Sequence, residues 1–164
     1  MFNATEYFRQ IATQNKAIAH NDETNKAFFR EFSSAKVLFD NSDFLAKMRD
    51  ASDTVLVSQF NGEINYDQRI DSGNRTNVGA IFLLKRVSAT YYNAIEDARV
   101  ALIAIWEDIY AKMKHDIETN VICMRSPDVQ TNPVGMIGDS YYGISVFISY
   151  DEYVNHRYDA SKWN

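Results

Sequence analysis

The sequence predicts an α+β fold: an antiparallel or mixed sheet of about four strands with one long and one shorter helix packed on one face, in the order α-β-β-α-β-β. Three observations predict it. Apolar residues recur at helical spacing from Tyr92 to Ile117, two β-branched runs at 54–60 and 80–87 flank a stretch of turn residues, and 141–150 alternates strictly between apolar and mixed positions. A chain of 164 residues suits one such domain, because a domain near 150 residues buries about 70% of its extended-chain surface.

Asn3 followed by Glu6 has capping-box spacing, and Tyr7, Phe8, Ile11, Ala12, Ile18 and Ala19 then mark one face. A first helix is therefore expected from about Ala4 to about His20, stopped by Asn21 and Asp22. The runs Phe28 to Phe32 and Val37 to Phe39 are too short for periodicity to choose between strand and helix, so residues 26–40 stay open. Asn41-Ser42-Asp43 is turn and N-cap chemistry, leading into a short helix through Phe44, Leu45 and Met48.

Thr54 to Phe60 and Ala80 to Val87 are strand sequences expected to pair as a long hairpin. Between them, Asn61 to Asn77 holds Asn61-Gly62 and Asp71-Ser72-Gly73-Asn74, with Glu63, Tyr66, Asp67, Arg69 and Arg75. This is either a long functional loop or an extension of the two strands beyond the sheet, and such an extension would itself be an assembly device.

From Ala89 to Glu118 the stripe Tyr92, Ile95, Arg99, Leu102, Ile105, Trp106, Ile109, Met113 and Ile117 defines a helix roughly 45 Å long at ~1.5 Å per residue. Arg99 interrupts the stripe but can lay its aliphatic stem along it. Val121 to Arg125 reads as a strand and Ser126 to Ser140, with Pro127, Pro133, Met136 and two glycines, as a loop ending in a hairpin turn. In the last strand Tyr142, Ile144, Val146, Ile148 and Tyr150 should face the long helix. Residues 1–150 form the domain; 151–164 form a tail whose Tyr153, Tyr158 and Trp163 either pack back on the domain or, the reading adopted, dock on a neighbour.

Hydrophobic residues at 46% and charged residues at 24% exclude global disorder. Aromatics at 13% suit an interface or a Phe/Tyr-rich core equally. A net charge of -5 without any basic run argues against sequence-independent nucleic-acid binding, although a basic patch formed in the fold or around a lumen stays open. The N-terminus has no signal-peptide pattern, no window is apolar enough for a membrane span, and the single Cys123 fits a reducing compartment.

No catalytic, cofactor-binding or metal-binding residue is assigned. His20, His115 and His156 lack ligand spacing, and Cys123 reads as a small hydrophobe on a strand. Glu96-Asp97 and Glu107-Asp108 lie eleven residues apart on one helix face, as a solvated stripe rather than a cation site. Asp67, Asp71 and Gly73 lack the ligand order of an EF-hand loop, Gly135 to Gly138 lacks the lysine of a phosphate loop, and Gly-x-Ser-x-Gly does not occur.

The early amphipathic helix, the strands 54–60 and 80–87, the long helix and the closing Gly138-Asp139-Ser140-Tyr141-Tyr142-Gly143-Ile144-Ser145-Val146-Phe147-Ile148 together resemble the tail-terminator and neck-ring (head–tail connector) proteins of tailed bacteriophages. The resemblance implies a non-enzymatic structural subunit, made in the host cytoplasm and placed in the virion neck or tail. Its partners would be further copies in a ring, neighbouring neck or tail proteins, and DNA passing through the lumen without specific binding; neither membrane nor cofactor is implied. Interface residues are then expected at Asn61, Gly62, Tyr66, Arg69, Arg75, Pro133, Met136, Tyr153, Tyr158 and Trp163. The alternative is a small α+β ligand-binding domain or enzyme with a pocket between sheet and long helix.

Overall fold

Among residues 2–30, 46, 48, 50–66, 73–88, 91–125, 127–138 and 140–154, which the computed structural model describes, the elements are α1 (Ala4–Gln14), β1 (Phe28–Arg30), β2 (Thr54–Tyr66), β3 (Gly73–Arg86), α2 (Tyr92–Glu118), β4 (Asp128–Ile137) and β5 (Tyr141–Val154). The five strands form one mixed sheet in the order β1-β2-β3-β5-β4. Only β1 and β2 run parallel; the other neighbours are antiparallel.

Helix α1 begins where its cap places it, with Asn3 Oδ1 accepting from the Glu6 N–H at 3.1 Å. It ends at Gln14 rather than His20. Asn15 leaves helical geometry and its carboxamide oxygen accepts from the N–H groups of Ala17 and Ile18, the local competition that makes Asn a poor interior helix residue. Ala19 then adopts a φ of 50°, and the chain doubles back until the His20 N–H donates to Ala12 O at 2.9 Å. Ile18 still reaches the core, but from the turn, and Ala19 is exposed.

Of the open region, Phe28 to Arg30 forms β1, in register with Leu56 to Ser58. The run Val37 to Phe39 and the start of the expected short helix fall outside the described residues; Met48 is buried. The hairpin expectation holds and extends, since β2 and β3 pair from Thr54 with Lys85 out to Tyr66 with Arg75, with a register shift between Gln59 and Glu63. Most of 61–77 is therefore strand, and 67–72 lie outside the described residues.

Helix α2 buries Ala98, Leu102, Trp106, Ile109 and Met113, as its period requires, whereas Tyr92 is exposed instead of joining the stripe. Arg99 Nη2 donates to Val134 O at 3.4 Å, tying the helix to β4. Val121 to Arg125 is not a strand. The N–H groups of Val121 and Ile122 return to Asp116 O and close the helix end, with Asn120 at a φ of 58°. On the side away from β3, the partner of β5 is β4, drawn from the segment expected to be a loop. Its polar Gln130, Thr131 and Asn132 hide it, and Pro133 is tolerated because β4 lies at the edge of the sheet. Gly138, at a φ of 60°, makes the turn into β5.

Both helices pack on one face of the sheet. There Leu56, Ile81, Leu83, Ile144, Val146, Ile148 and Tyr150 meet Phe8, Ile11, Leu102, Trp106, Ile109 and Met113, and each fully buried Leu or Ile contributes about 1.5–3 kcal/mol. The opposite face has a second apolar cluster, in which Val55, Val57, Phe82, Leu84, Val134, Ile137 and Tyr141 pack with Met48 and Ala51. Arg86 secures that cover by donating to Ala51 O at 3.2 Å and to the Tyr141 hydroxyl at 2.9 Å, while Tyr141 donates to Ser52 O at 2.8 Å.

Candidate functional site

Three polar groupings stand out against this apolar framework, two beside clefts that flank α1. The first is a brace between the helices. Asp116 follows Met113 by three residues and therefore shares the buried face of α2, where Tyr7 of α1 meets it. The Tyr7 hydroxyl donates to Asp116 Oδ2 at 2.9 Å, and Lys112 Nζ donates to both carboxylate oxygens at 2.5 and 2.6 Å. Burial alone would raise the Asp116 pKa, but the bonds from Lys112 and Tyr7 outweigh it and hold the carboxyl below its ordinary range. Burial, then the bond to Asp116, pushes the Tyr7 hydroxyl well up. The carboxylate is thus ionised with both oxygens engaged, an arrangement suited to locking two helices together rather than to accepting a proton. Beside it lies a cleft of 330 Å3 lined by Phe2, Gln10, Ile11, Lys112, Asp116 and Ile122, among others.

On the other side of α1, a cleft of 570 Å3 is lined by Glu6, Arg9, Gln10, Thr13, His20 and Asp22 with their neighbours. His20 Nδ1 accepts from the Ala27 N–H at 3.2 Å, which leaves the proton of a neutral ring on Nε2. Nε2 is 3.1 Å from Asp22 Oδ1 yet misaligned for a hydrogen bond, and Asp22 also pairs with Arg9. The third grouping lies at the far end of β3 and β5, where Arg75 forms a buried ion pair with Glu152.

The residues expected at an interface separate into two regions. Asn61, Gly62 and Tyr66 lie in β2, Asn61 and Gly62 within the register shift; Tyr66 pairs with Arg75, and Tyr153 pairs with Asn74. Pro133 and Met136 are exposed on β4, Met136 at 55%. Because Pro133 pairs with Ile144 and Arg75 with Glu152, the two regions are eight residues apart along β5, roughly 27 Å. Arg75 departs from expectation: its side chain is buried against Glu152 within the chain instead of facing outward. Arg69, Tyr158 and Trp163 lie outside the described residues.

Sequence reasoning missed Tyr7, Lys112, Asp116 and Glu152. The available signal was phase: Asp116 continues the buried stripe of α2, and Glu152 continues the series Ile144, Val146, Ile148, Tyr150. A charge in step with apolar residues must be paired if it is buried. Cys123 is exposed, and among the described residues no three His, Cys, Asp or Glu side chains gather to hold a metal ion. No described helix is long and apolar enough to cross a membrane. No protein-family model matches the chain, and no curated protein matches it.

Proposed function

We propose that this chain is a non-enzymatic virion structural protein that assembles into a ring at a phage neck or tail end, as a tail-terminator or head–tail connector type subunit. The observation that carries the reading is the presence of unlike exposed surfaces pointing in different directions. Phe147 is 42% exposed on the sheet face opposite the helices. Met136 and Pro133 project at the β4 edge, which pairs only with β5 among the described residues. At the other end, β2, β3 and β5 run on to Tyr66, Gly73 and Val154 as a three-stranded extension. A head-to-tail ring requires one surface for each neighbour, and these surfaces differ in position and chemistry. The net charge of -5 suits a conduit through which DNA slides without sticking.

A ligand-binding reading finds its support in the α1 clefts, since the space between α2 and the sheet is filled by Leu102, Trp106 and Ile109 packed on Ile81, Leu83 and Val146. Electron microscopy of the purified protein and of its parent particle tests the proposal. Rings in either, broken by Phe147→Asp or Met136→Asp without loss of the folded circular-dichroism spectrum, are expected. A chain that is monomeric in solution, missing from particles and stabilised by a small metabolite would refute it.

A further inference from the structure

The solvent face of α2 carries a pattern that a merely soluble helix does not need. Val100 and Ile103, 60% and 43% exposed, are neighbours on this face, and Tyr92, 75% exposed, lies in line with Ile103 about three turns earlier. Exposed carboxylates bracket the pair: Glu96 and Asp97 one turn before, Glu107 and Asp108 one turn after. The bracket is eleven residues long, roughly 16 Å. Glu96 has a distant ion pair with Arg99 at 3.8 Å.

Charge decides what can cover this face. A second copy laid antiparallel on it by a two-fold axis would set Glu96 and Asp97 against Glu107 and Asp108 of its mate, and a parallel copy would set each acidic pair against itself. Both arrangements press like charges together while burying the apolar centre, which costs several kcal/mol at an interface. A molecule with an apolar centre and cationic flanks gains on both counts. We infer that the outer face of α2 docks a different protein, through a segment whose apolar side chains are flanked on both sides by Lys or Arg. The inference rests on the assembly reading for its choice of a protein occupant, and it leaves the contacts between copies to the sheet surfaces.

The test uses the full chain and a fluorescent synthetic peptide of about 15 residues, with a Leu/Ala stripe between lysine flanks, beside a peptide carrying glutamate in their place. The lysine peptide is expected to bind at least about tenfold more tightly than the glutamate peptide, and to lose about tenfold on Val100→Asp and on combined Glu96→Gln and Glu107→Gln. Ile103→Ser serves as the second apolar variant if Val100→Asp fails to fold. Equal binding of the two peptides, no binding of either, or no effect of the apolar substitutions would overturn the inference. Sedimentation of the Val100→Asp protein separates the remaining cases. Retained self-association is expected, whereas its loss assigns this face to a second copy and overturns the inference. A parent chain that is monomeric and missing from particles yet binds the lysine peptide would refute the ring while leaving the docking face standing.

Discussion

Arg75 on β3 and Glu152 on β5 form an ion pair directly across the ladder, with side chains only 7% and 6% exposed. Glu152 also accepts from the Phe2 backbone N–H at 2.6 Å and from Asn77 Nδ2 at 3.1 Å. One carboxylate therefore joins the N-terminal segment, β3 and β5. The Phe2 ring lies over the same place, 5.3 Å from Tyr7 and 5.5 Å from Tyr150 between centroids.

Replacing Glu152 by Ala leaves the Arg75 guanidinium buried without its counter-charge and should cost about 3–5 kcal/mol in urea unfolding. The paired change Arg75→Met with Glu152→Leu should recover most of that loss. Equal damage from the single and double variants would show that the contact area, not the uncompensated charge, sets the cost.

Acid should loosen the fold through Glu152 and Asp116. Burial works against ionisation of Glu152, but the Phe2 N–H, Arg75 and Asn77 overcome it and lower its pKa below 4.5, and Asp116 is lowered likewise. Groups depressed in the folded state add stability above the unfolded pKa, and that stability is lost as pH falls through the folded value. Thermal midpoints should be insensitive to these two groups near neutrality and fall below about pH 4.5. Asp116→Asn should lower the neutral midpoint and flatten the acid limb; an unchanged limb would remove Asp116 from the account.

Alkali should act on the tyrosines beside these groups. Burial, reinforced by Glu152, raises the Tyr150 hydroxyl to about 12. A raised folded pKa gives stability that is complete below 10 and lost as pH climbs through 12. Phenolate absorbance should therefore show a late-ionising class that merges with the ordinary tyrosines when the protein is unfolded in urea. Tyr7→Phe should remove one member of that class and cost about 1.5–3 kcal/mol, the range for a hydrogen bond to a charged group.

Two glycines make close approaches of different kinds. A Cβ on Gly143 would lie 2.0 Å from the Leu83 carbonyl oxygen, a backbone atom held in the ladder. A Cβ on Gly79 would meet the Phe60 ring at 2.1 Å, where that ring stacks on Phe8 with centroids 5.5 Å apart. Gly143→Ala should prevent stable folding or cost more than about 3 kcal/mol, and Gly79→Ala should cost less, because a ring can turn where a ladder cannot. Combining Gly79→Ala with Phe60→Leu should restore part of the loss, with denaturation midpoints as the measure.

What the amino-acid sequence by itself determined are the features written in neighbouring residues. The period of Leu102, Trp106, Ile109 and Met113 placed α2, the β-branched runs placed the cores of β2 and β3, and the alternation of Ile144, Val146 and Ile148 chose the face that meets the helices. Tertiary structure alone decided the rest. Whether 61–66 and 73–77 are loop or strand depended on the pairing of β3 with β5 as well as β2, and β4 became a strand because β5 offered it an edge despite polar residues and Pro133. The second apolar face was concealed in the unbroken run from Ala80 to Leu84, whose alternate members serve opposite sides of the sheet. Tyr7 with Asp116 and Arg75 with Glu152 join residues 109 and 77 positions apart. Such pairs leave no local pattern, because periodicity reports which face a residue occupies and carries no information about which distant residue will occupy the place opposite.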